Sequence, residues 1–214
     1  MVYGILRLIN FAHGDVFMIA GLIMVYAAAS LPLYIAIPLV LVVTVVIGFL
    51  IERVAYKPLR SAPRMSVMIS AIGVSYLLQN LALYVTGGLS KMYPTIPFIS
   101  DSVTIGTATT KMVTLITPVL TLVLVVVLVL FIQKTKIGMA MRAVSKDFET
   151  SQLMGIKINS VISATFIIGS FLAAVGSLLY FTNYAGVIPT SGAMPGLKAL
   201  WPRCSGASAL YPVR

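Results

Sequence analysis

The chain has 214 residues, of which 15 are basic and 5 acidic, so its formal net charge is +10. Charged residues make up 9% of the sequence and hydrophobic residues 59%, and the mean hydropathy is +1.04. An ordinary soluble domain has roughly 25% charged residues, and a disordered chain needs low hydrophobicity. The composition therefore excludes both a soluble globular enzyme and a disordered protein, and it predicts a membrane protein.

The basic residues are not arranged for nucleic-acid binding, because they lie in short clusters between apolar runs and not in one stripe with aromatic residues. The single cysteine, Cys204, excludes an intramolecular disulfide, and the single histidine, His13, excludes a His-rich metal site. A single histidine also argues against histidine-based catalysis, and we name no catalytic, cofactor-binding or metal-binding residue on this chain.

Five apolar runs are long enough to cross a bilayer, for which a helix needs about 20 residues. None contains Lys or Arg, and Asp15 is the only acidic residue in them. The predicted spans are residues 11–30, 33–51, 65–86, 112–132 and 158–181. The predicted fold class is all-α, a polytopic transmembrane bundle of about five helices with a remnant C-terminal segment.

Basic residues in short loops predict the orientation, since they favour the cytoplasmic side. Loops 52–64 and 133–157 carry four and five basic residues, and Arg7 precedes the first span. Loop 87–111 carries two, and neither the turn at 31–32 nor segment 182–195 carries any. We therefore predict that the first group is cytoplasmic and the second faces outward.

The N-terminus also allows a cleaved signal peptide as the alternative. Arg7, the apolar stretch from Val16 and the three alanines before Ser30 are similar to its three regions. Asp15 next to the apolar stretch is unfavourable for that reading. The other four spans predict a polytopic membrane protein in either case.

The head of the first span carries the polar residues Asn10, His13 and Asp15, together with Gly14, which would let backbones approach closely. Ionisable groups at membrane depth indicate function, and transporters point the N-termini of interrupted helices at anionic substrate groups. The alternative is that these residues lie in the headgroup zone, with Asn10 as an N-cap and Asp15 at the positive end of the helix dipole. The depth of the helix start decides between the two.

The third and fifth spans are rich in small and polar residues, of which Gln79 and Asn80 need partners away from lipid. We expect these two spans to face other helices or a polar path. The fourth span is nearly pure Val and Leu and is expected to face lipid. The loop at 87–111, rich in Gly, Pro, Ser and Thr, is expected to be irregular.

Loop 133–157 predicts one amphipathic helix on the cytoplasmic surface, ended by Gly155. Its apolar stripe and its polar face are each spaced three to four residues apart. The stripe would bury against lipid headgroups, the protein's own bundle or a soluble partner. The stripe is Met141, Val144 and Phe148, and the polar face is Arg142, Lys146 and Glu149.

Five segments in order along residues 2–200 resemble the membrane permease of the branched-chain amino acid ABC importers. The most recognisable begins at Arg7 and includes Asn10-Phe11-Ala12-His13-Gly14-Asp15. The others are residues 52–60, 69–75, 139–156 and 194–198. Together they identify the chain as similar to that family.

The resemblance implies an inner-membrane subunit, in a bacterium or archaeon, of an ATP-driven importer that works by alternating access. It also implies a homologous second permease, two cytoplasmic ATPase subunits that use the ATP, and an external substrate-binding protein. Residues 149–155 have the Glu and Gly of the ABC permease motif that seats in the ATPase, with both alanines replaced. Arg142, Lys146, Glu149 and Gly155 are therefore candidates for the coupling helix, and Asn10, His13, Gly14, Asp15, Gln79 and Asn80 for the translocation path.

The chain departs from the family at both ends. Met1 falls inside a region that the family precedes with another apolar stretch, and the resemblance stops at about Leu200. Residues 201–214 change composition and hold the only Trp, Trp201, and Cys204. We therefore divide the chain into an incomplete permease domain, 1–200, and an atypical tail, 201–214, for which a frameshift or truncation is the hypothesis.

Three other functions stay open. A related permease for urea, short amides or another small polar solute would share the same motifs. A passive channel is a different class, but the sequence has no filter-like repeat. An intramembrane enzyme would depend on His13 and Asp15 alone, without a second carboxylate in any span.

Overall fold

The computed structural model describes residues 10–59, 63–95, 102–105, 108–184 and 186–196. Arg7, Arg60 and the tail after Leu200 lie outside these residues. Helices dominate, and their order along the chain is α1 (Ala12–Ser30), α2 (Leu33–Ile51), a π-helix (Glu52–Tyr56), α3 (Arg64–Thr86), α4 (Met112–Lys134), α5 (Lys136–Lys146), α6 (Phe148–Leu153) and α7 (Ile158–Asn183).

Within the described residues, five helices are long and apolar enough to cross a membrane, which confirms the predicted all-α polytopic bundle. Their ends lie close to the predicted ends because charged and turn residues bound each apolar run. The second span differs, since it continues without a break from Ile51 into the π-helix. Glu52 does not end the helix because its carboxylate is fully buried and its Oε2 accepts a hydrogen bond from Ser163 Oγ at 2.9 Å.

The core lies around α1, which packs against α2, α3 and α7. About half of the apolar length of α1 and of α7 is buried, whereas none of that of α4 is buried. Phe181 fits against Gly21, where an added Cβ would come within 2.5 Å of its ring. The helix predicted to face lipid is therefore the one that the rest of the chain leaves uncovered.

Two small antiparallel sheets lie between the spans. Strand β1 (Lys91–Met92) pairs with β4 (Gly186–Val187), and β2 (Ser102–Ile105) forms a hairpin with β3 (Ala108–Lys111). The expectation that loop 87–111 is wholly irregular was therefore wrong. Its β-branched residues on both sides of a short connection favour the hairpin.

Segment 133–157, which is predicted to be cytoplasmic, forms two helices, α5 and α6, and the prediction of one helix was wrong. Asp147 has extended backbone angles (φ −149°, ψ 121°) and separates them. Local hydrogen bonds of Asp147 explain the break. Its side-chain Oδ1 accepts from the Thr150 amide at 3.4 Å, as in an N-cap, and its backbone carbonyl accepts from Ser151 Oγ at 2.6 Å. Gly155 follows α6 with φ +79°, as predicted for a left-handed residue after a helix.

The break at Asp147 divides the predicted apolar stripe. Met141 and Val144 are almost fully buried and pack against Val161 of α7, so this part of the stripe binds the protein's own bundle. Phe148, on α6, is 40% exposed, and Leu153 on the same helix is 87% exposed. Exposed apolar surface therefore lies on α6, and also on α5, where Ile137 is 47% and Met139 60% exposed.

Candidate translocation site

Asp15, in the first turn of α1, is the buried acidic residue on which the candidate site is built. Its carboxylate is 2% exposed and accepts two hydrogen bonds from α3. Gln79 Nε2 donates to Oδ1 at 3.0 Å, and the Ser75 hydroxyl donates to Oδ2. Ser75 and Gln79 can reach one carboxylate because residues four apart lie on one face of a helix.

Asn10 is not the N-cap of the first span, so that expectation was wrong. Phe11 occupies the cap position without a side-chain cap bond. The Asn10 Oδ1 instead accepts a hydrogen bond from the Tyr56 hydroxyl at 2.7 Å. The continuation of α2 into the π-helix brings this buried phenol to the head of α1, where it needs a polar partner.

Gly14 makes a backbone contact with segment 186–196. A Cβ added to Gly14 would overlap the carbonyl oxygen of Gly192 and come within 3.2 Å of the Cα of Gly196. We call Gly14, Gly192 and Gly196 the glycine contact. Sequence reasoning gave Gly14 a close approach but not its partners, although the four-residue spacing of Gly192 and Gly196 is the small-residue pattern of close backbone packing.

The head of α1 lies deep in the bundle. Gln79 lies 15 residues after the start of α3 and seven before its end, about 22 Å and 10 Å at 1.5 Å per residue. Ala173, at the same level of α7, lies about 22 Å and 15 Å from the ends of that helix. Since α1 begins three residues before Asp15, its first turn starts inside the span length of its neighbours and not at their ends.

Segment 186–196 follows the C-terminal end of α7 and turns back towards the head of α1. It pairs through β4 with β1, and Gly192 then contacts Gly14. Irregular backbone at membrane depth occurs where it is buried in protein or lines a cavity. The second condition holds here, because four of its residues line the cavity described next.

A cavity of about 510 Å³ lies in front of the head of α1. Its walls are mostly apolar, and its polar groups converge at one end around Asp15. The start of α1 adds partial positive charge there through the helix dipole, although the His13 amide already donates to the Asn10 carbonyl at 3.4 Å. The lining residues are Asn10, Phe11, His13, Gly14, Asp15, Phe17, Ser75, Gln79, Leu172, Ala173, Gly176, Gly192, Ala193, Pro195 and Gly196.

Five of the six predicted path residues line this cavity, and Asn80 does not. Asn80 is exposed on the outer face of α3, and its amide donates to the carbonyl of Tyr76 at 2.8 Å. Adjacent residues on a helix are about 100° apart, so Gln79 and Asn80 face different sides. Within the described ranges no three His, Cys, Asp or Glu residues come together as metal ligands.

The predicted coupling residues do not line this cavity and lie on or next to α5 and α6. Arg142, on α5, is exposed and donates from Nη2 to the carbonyl of Gln133 at 3.2 Å. Lys146 ends α5, Glu149 lies on α6, and Gly155 follows α6. Arg142 and Glu149 therefore belong to two helices and not to one continuous polar face.

Known proteins resemble the chain over nearly its whole length. The family model described as branched-chain amino acid transport system, permease component, matches residues 1–201. The chain belongs to this permease family. No solved structure matches it.

Three permease relatives illustrate the match. All are described as high-affinity branched-chain amino acid transport system permease proteins, and each alignment covers 99% of this chain and 73% of the relative. BraD of Pseudomonas aeruginosa is 35% identical over 225 residues, LivH of Escherichia coli K12 34% over 226, and LivH of Salmonella typhimurium 33% over 226.

Membership of the permease family confirms the resemblance drawn from the five sequence segments. The relatives are transporter subunits, which supports the prediction of a transporter component over an intramembrane enzyme. With its five apolar helices, the chain is a multi-pass inner-membrane permease subunit.

Proposed function

We propose that this permease carries branched-chain amino acids through the cavity at the head of α1, by alternating access driven by ATPase subunits on the cytoplasmic side. The observation that carries the proposal is the buried Asp15 carboxylate beside the start of α1, in a cavity with apolar walls. A second homologous permease would complete the path, and an external binding protein would deliver the solute.

The chemistry of the cavity fits a zwitterion with an aliphatic side chain. The carboxylate of Asp15 keeps acceptor sites beyond those used by Ser75 and Gln79 and can accept from an ammonium group. The first amides of α1 can donate to a carboxylate. Phe11, Phe17 and Leu172 supply apolar surface for an aliphatic side chain.

The groups that line the cavity favour a branched-chain amino acid over the alternative solutes. Urea and short amides carry neither the full charges that Asp15 and the α1 amides can bind nor the aliphatic group that the walls can cover. A passive channel would conduct without ATP and would not need α5 and α6.

The test is uptake by the complete transporter in proteoliposomes with ATP inside. Labelled leucine, isoleucine and valine are compared with labelled urea, and each with and without ATP. We expect ATP-dependent uptake of the amino acids in excess of urea. ATP-dependent uptake of urea alone would move the assignment to the related permeases, and flux without ATP would identify a channel.

ATPase attachment is proposed to use α5 and α6, including the exposed Arg142 and Lys146 of α5 and the predicted coupling residue Glu149 of α6. Met141 and Val144 fix α5 to α7, so a force applied to α5 reaches a helix that lines the cavity. This contact provides the mechanical link that alternating access requires.

A further inference from the structure

A second cavity, of about 310 Å³, lies at the cytoplasmic ends of the π-helix and α7. It shares no lining residue with the translocation cavity. Arg53 and Lys57 line one side of it, and Ser160 and Ser163 of α7 line the other. We call it the basic cavity.

The local sequence explains why two positive charges meet there. Arg53 and Lys57 are four residues apart in and just after the π-helix, so they share one face. Glu52, the neighbouring acid, is fully buried on another face and accepts from Ser163. The walls of the basic cavity are therefore cationic and hydroxylic, although a carboxylate lies beside them in the sequence.

The α7 side of the basic cavity also favours an anion. Ser160 lies in the first turn of α7, where the helix dipole places partial positive charge. The Ser163 hydroxyl donates its proton to Glu52, so Ser160 supplies the free hydroxyl. A hydroxyl and the start of a helix, combined with Arg and Lys, are groups that bind phosphate in proteins.

The surroundings indicate which phosphate would reach the basic cavity. The cytoplasmic loop charges place it at the level of the inner headgroups. Ile167, one turn deeper on α7 than Ser163, lines the cavity and is 38% exposed, and Val54 beside Arg53 is 72% exposed. Polar groups above an exposed apolar wall match a headgroup above an acyl chain, and a free anion would leave that wall uncovered.

We propose that the basic cavity binds the phosphodiester of an anionic phospholipid from the cytoplasmic leaflet. Arg53 and Lys57 attract the phosphodiester and repel the cationic headgroup of a zwitterionic lipid, so a lipid with net negative charge is favoured. This site is independent of the proposed translocation path, and either proposal can fail without the other.

The test measures phospholipid bound to the purified complete transporter by native mass spectrometry, after exchange into phosphatidylglycerol or phosphatidylcholine. The variant is Arg53→Gln with Lys57→Gln, and the matched control is Lys134→Gln with Lys136→Gln, which removes two exposed cytoplasmic charges elsewhere. We expect bound phosphatidylglycerol to fall at least about fivefold in the first variant and to stay unchanged in the control.

A second variant guards against misfolding. Ser160→Asp places a negative charge at the basic cavity, but an acid in the first turn of a helix stabilises the helix. It should therefore expel the lipid from a well-folded complex. Retention of lipid by Ser160→Asp, or equal losses in the glutamine variant and its control, would overturn the proposal.

Two further results would also overturn it. Wild-type complex without retained phosphatidylglycerol would mean that no lipid occupies the basic cavity, as expected if a partner subunit covers it. Displacement of the lipid by millimolar inorganic phosphate would identify a site for a free anion. Preference for phosphatidylglycerol over phosphatidylcholine, unaffected by inorganic phosphate, would support the proposal.

Discussion

Gln79 on α3 donates a hydrogen bond from Nε2 to Asp15 Oδ1 on α1 at 3.0 Å, and this bond joins two spans at a depth where lipid offers no polar partner. The bond does two things at once. It satisfies a carboxylate that burial would otherwise penalise, and it holds the cavity-lining face of α3 against the head of α1.

The first prediction contrasts Gln79→Ala with Asn80→Ala. Loss of the Gln79 amide removes one donor from a buried carboxylate, which costs about 1–3 kcal/mol, so we expect leucine uptake by the complete transporter to fall about tenfold. Asn80 is exposed and bonded only locally, so its alanine variant should retain uptake near the wild-type level. Equal uptake by the two variants would contradict the role given to Gln79.

The second prediction concerns the glycine contact. Gly192→Ala puts a methyl group against the backbone of Gly14 and Asp15, where no flexible side chain can move away. We expect it to destabilise the purified transporter by about 1–3 kcal/mol, measured as a lower thermal unfolding midpoint in detergent.

The control for the glycine contact is Gly73→Ala on α3. No atom lies within 4 Å of the added Cβ there, and alanine is about 1 kcal/mol better than glycine in a helix interior. Its unfolding midpoint should therefore be equal to or above that of the wild type. A fall as large as that of Gly192→Ala would show that the glycine contact is not special.

The third prediction is that Tyr56→Phe weakens the head of α1 without moving the apolar core. The phenyl ring keeps its contact with Phe166, whose centroid lies 5.1 Å away, but Asn10 loses its hydrogen bond. We expect a loss of about 1 kcal/mol in stability by the same thermal measurement. Tyr84→Phe, at an 87% exposed position, is the control and should show no change.

The fourth prediction addresses ATPase attachment. Leu153→Ala on α6 removes an 87% exposed apolar side chain, and Arg142→Glu reverses an exposed charge on α5. Each should lower co-purification of the ATPase about tenfold, the effect of an interface residue worth 1–2 kcal/mol, while membrane insertion stays intact. Leu89→Ala, at an exposed position after α3, is the control and should leave co-purification unchanged. Unchanged co-purification in both the α5 and the α6 variant would show that the ATPase binds elsewhere.

The sequence predicted the five spans well because bilayer crossing needs long apolar runs, and charges such as Lys111 and Lys134 mark their ends. It did not predict the partners of Asp15, since the register between α1 and α3 depends on packing across 60 residues of chain. Two further features were not predicted because they depend on hydrogen bonds of single side chains. Asp147 caps a new helix inside an apparently continuous one, and Glu52 continues a span that its charge was expected to end.

The glycine contact has a mechanical consequence. Packed protein interiors have low compressibility, and at Gly14 and Gly192 two main chains touch with no side chain as a cushion between them. The pair of strands β1 and β4 is therefore coupled to the buried head of α1 through direct contact between main chains. A displacement of Val187 away from Lys91 must shift the start of α1 or break the contact altogether.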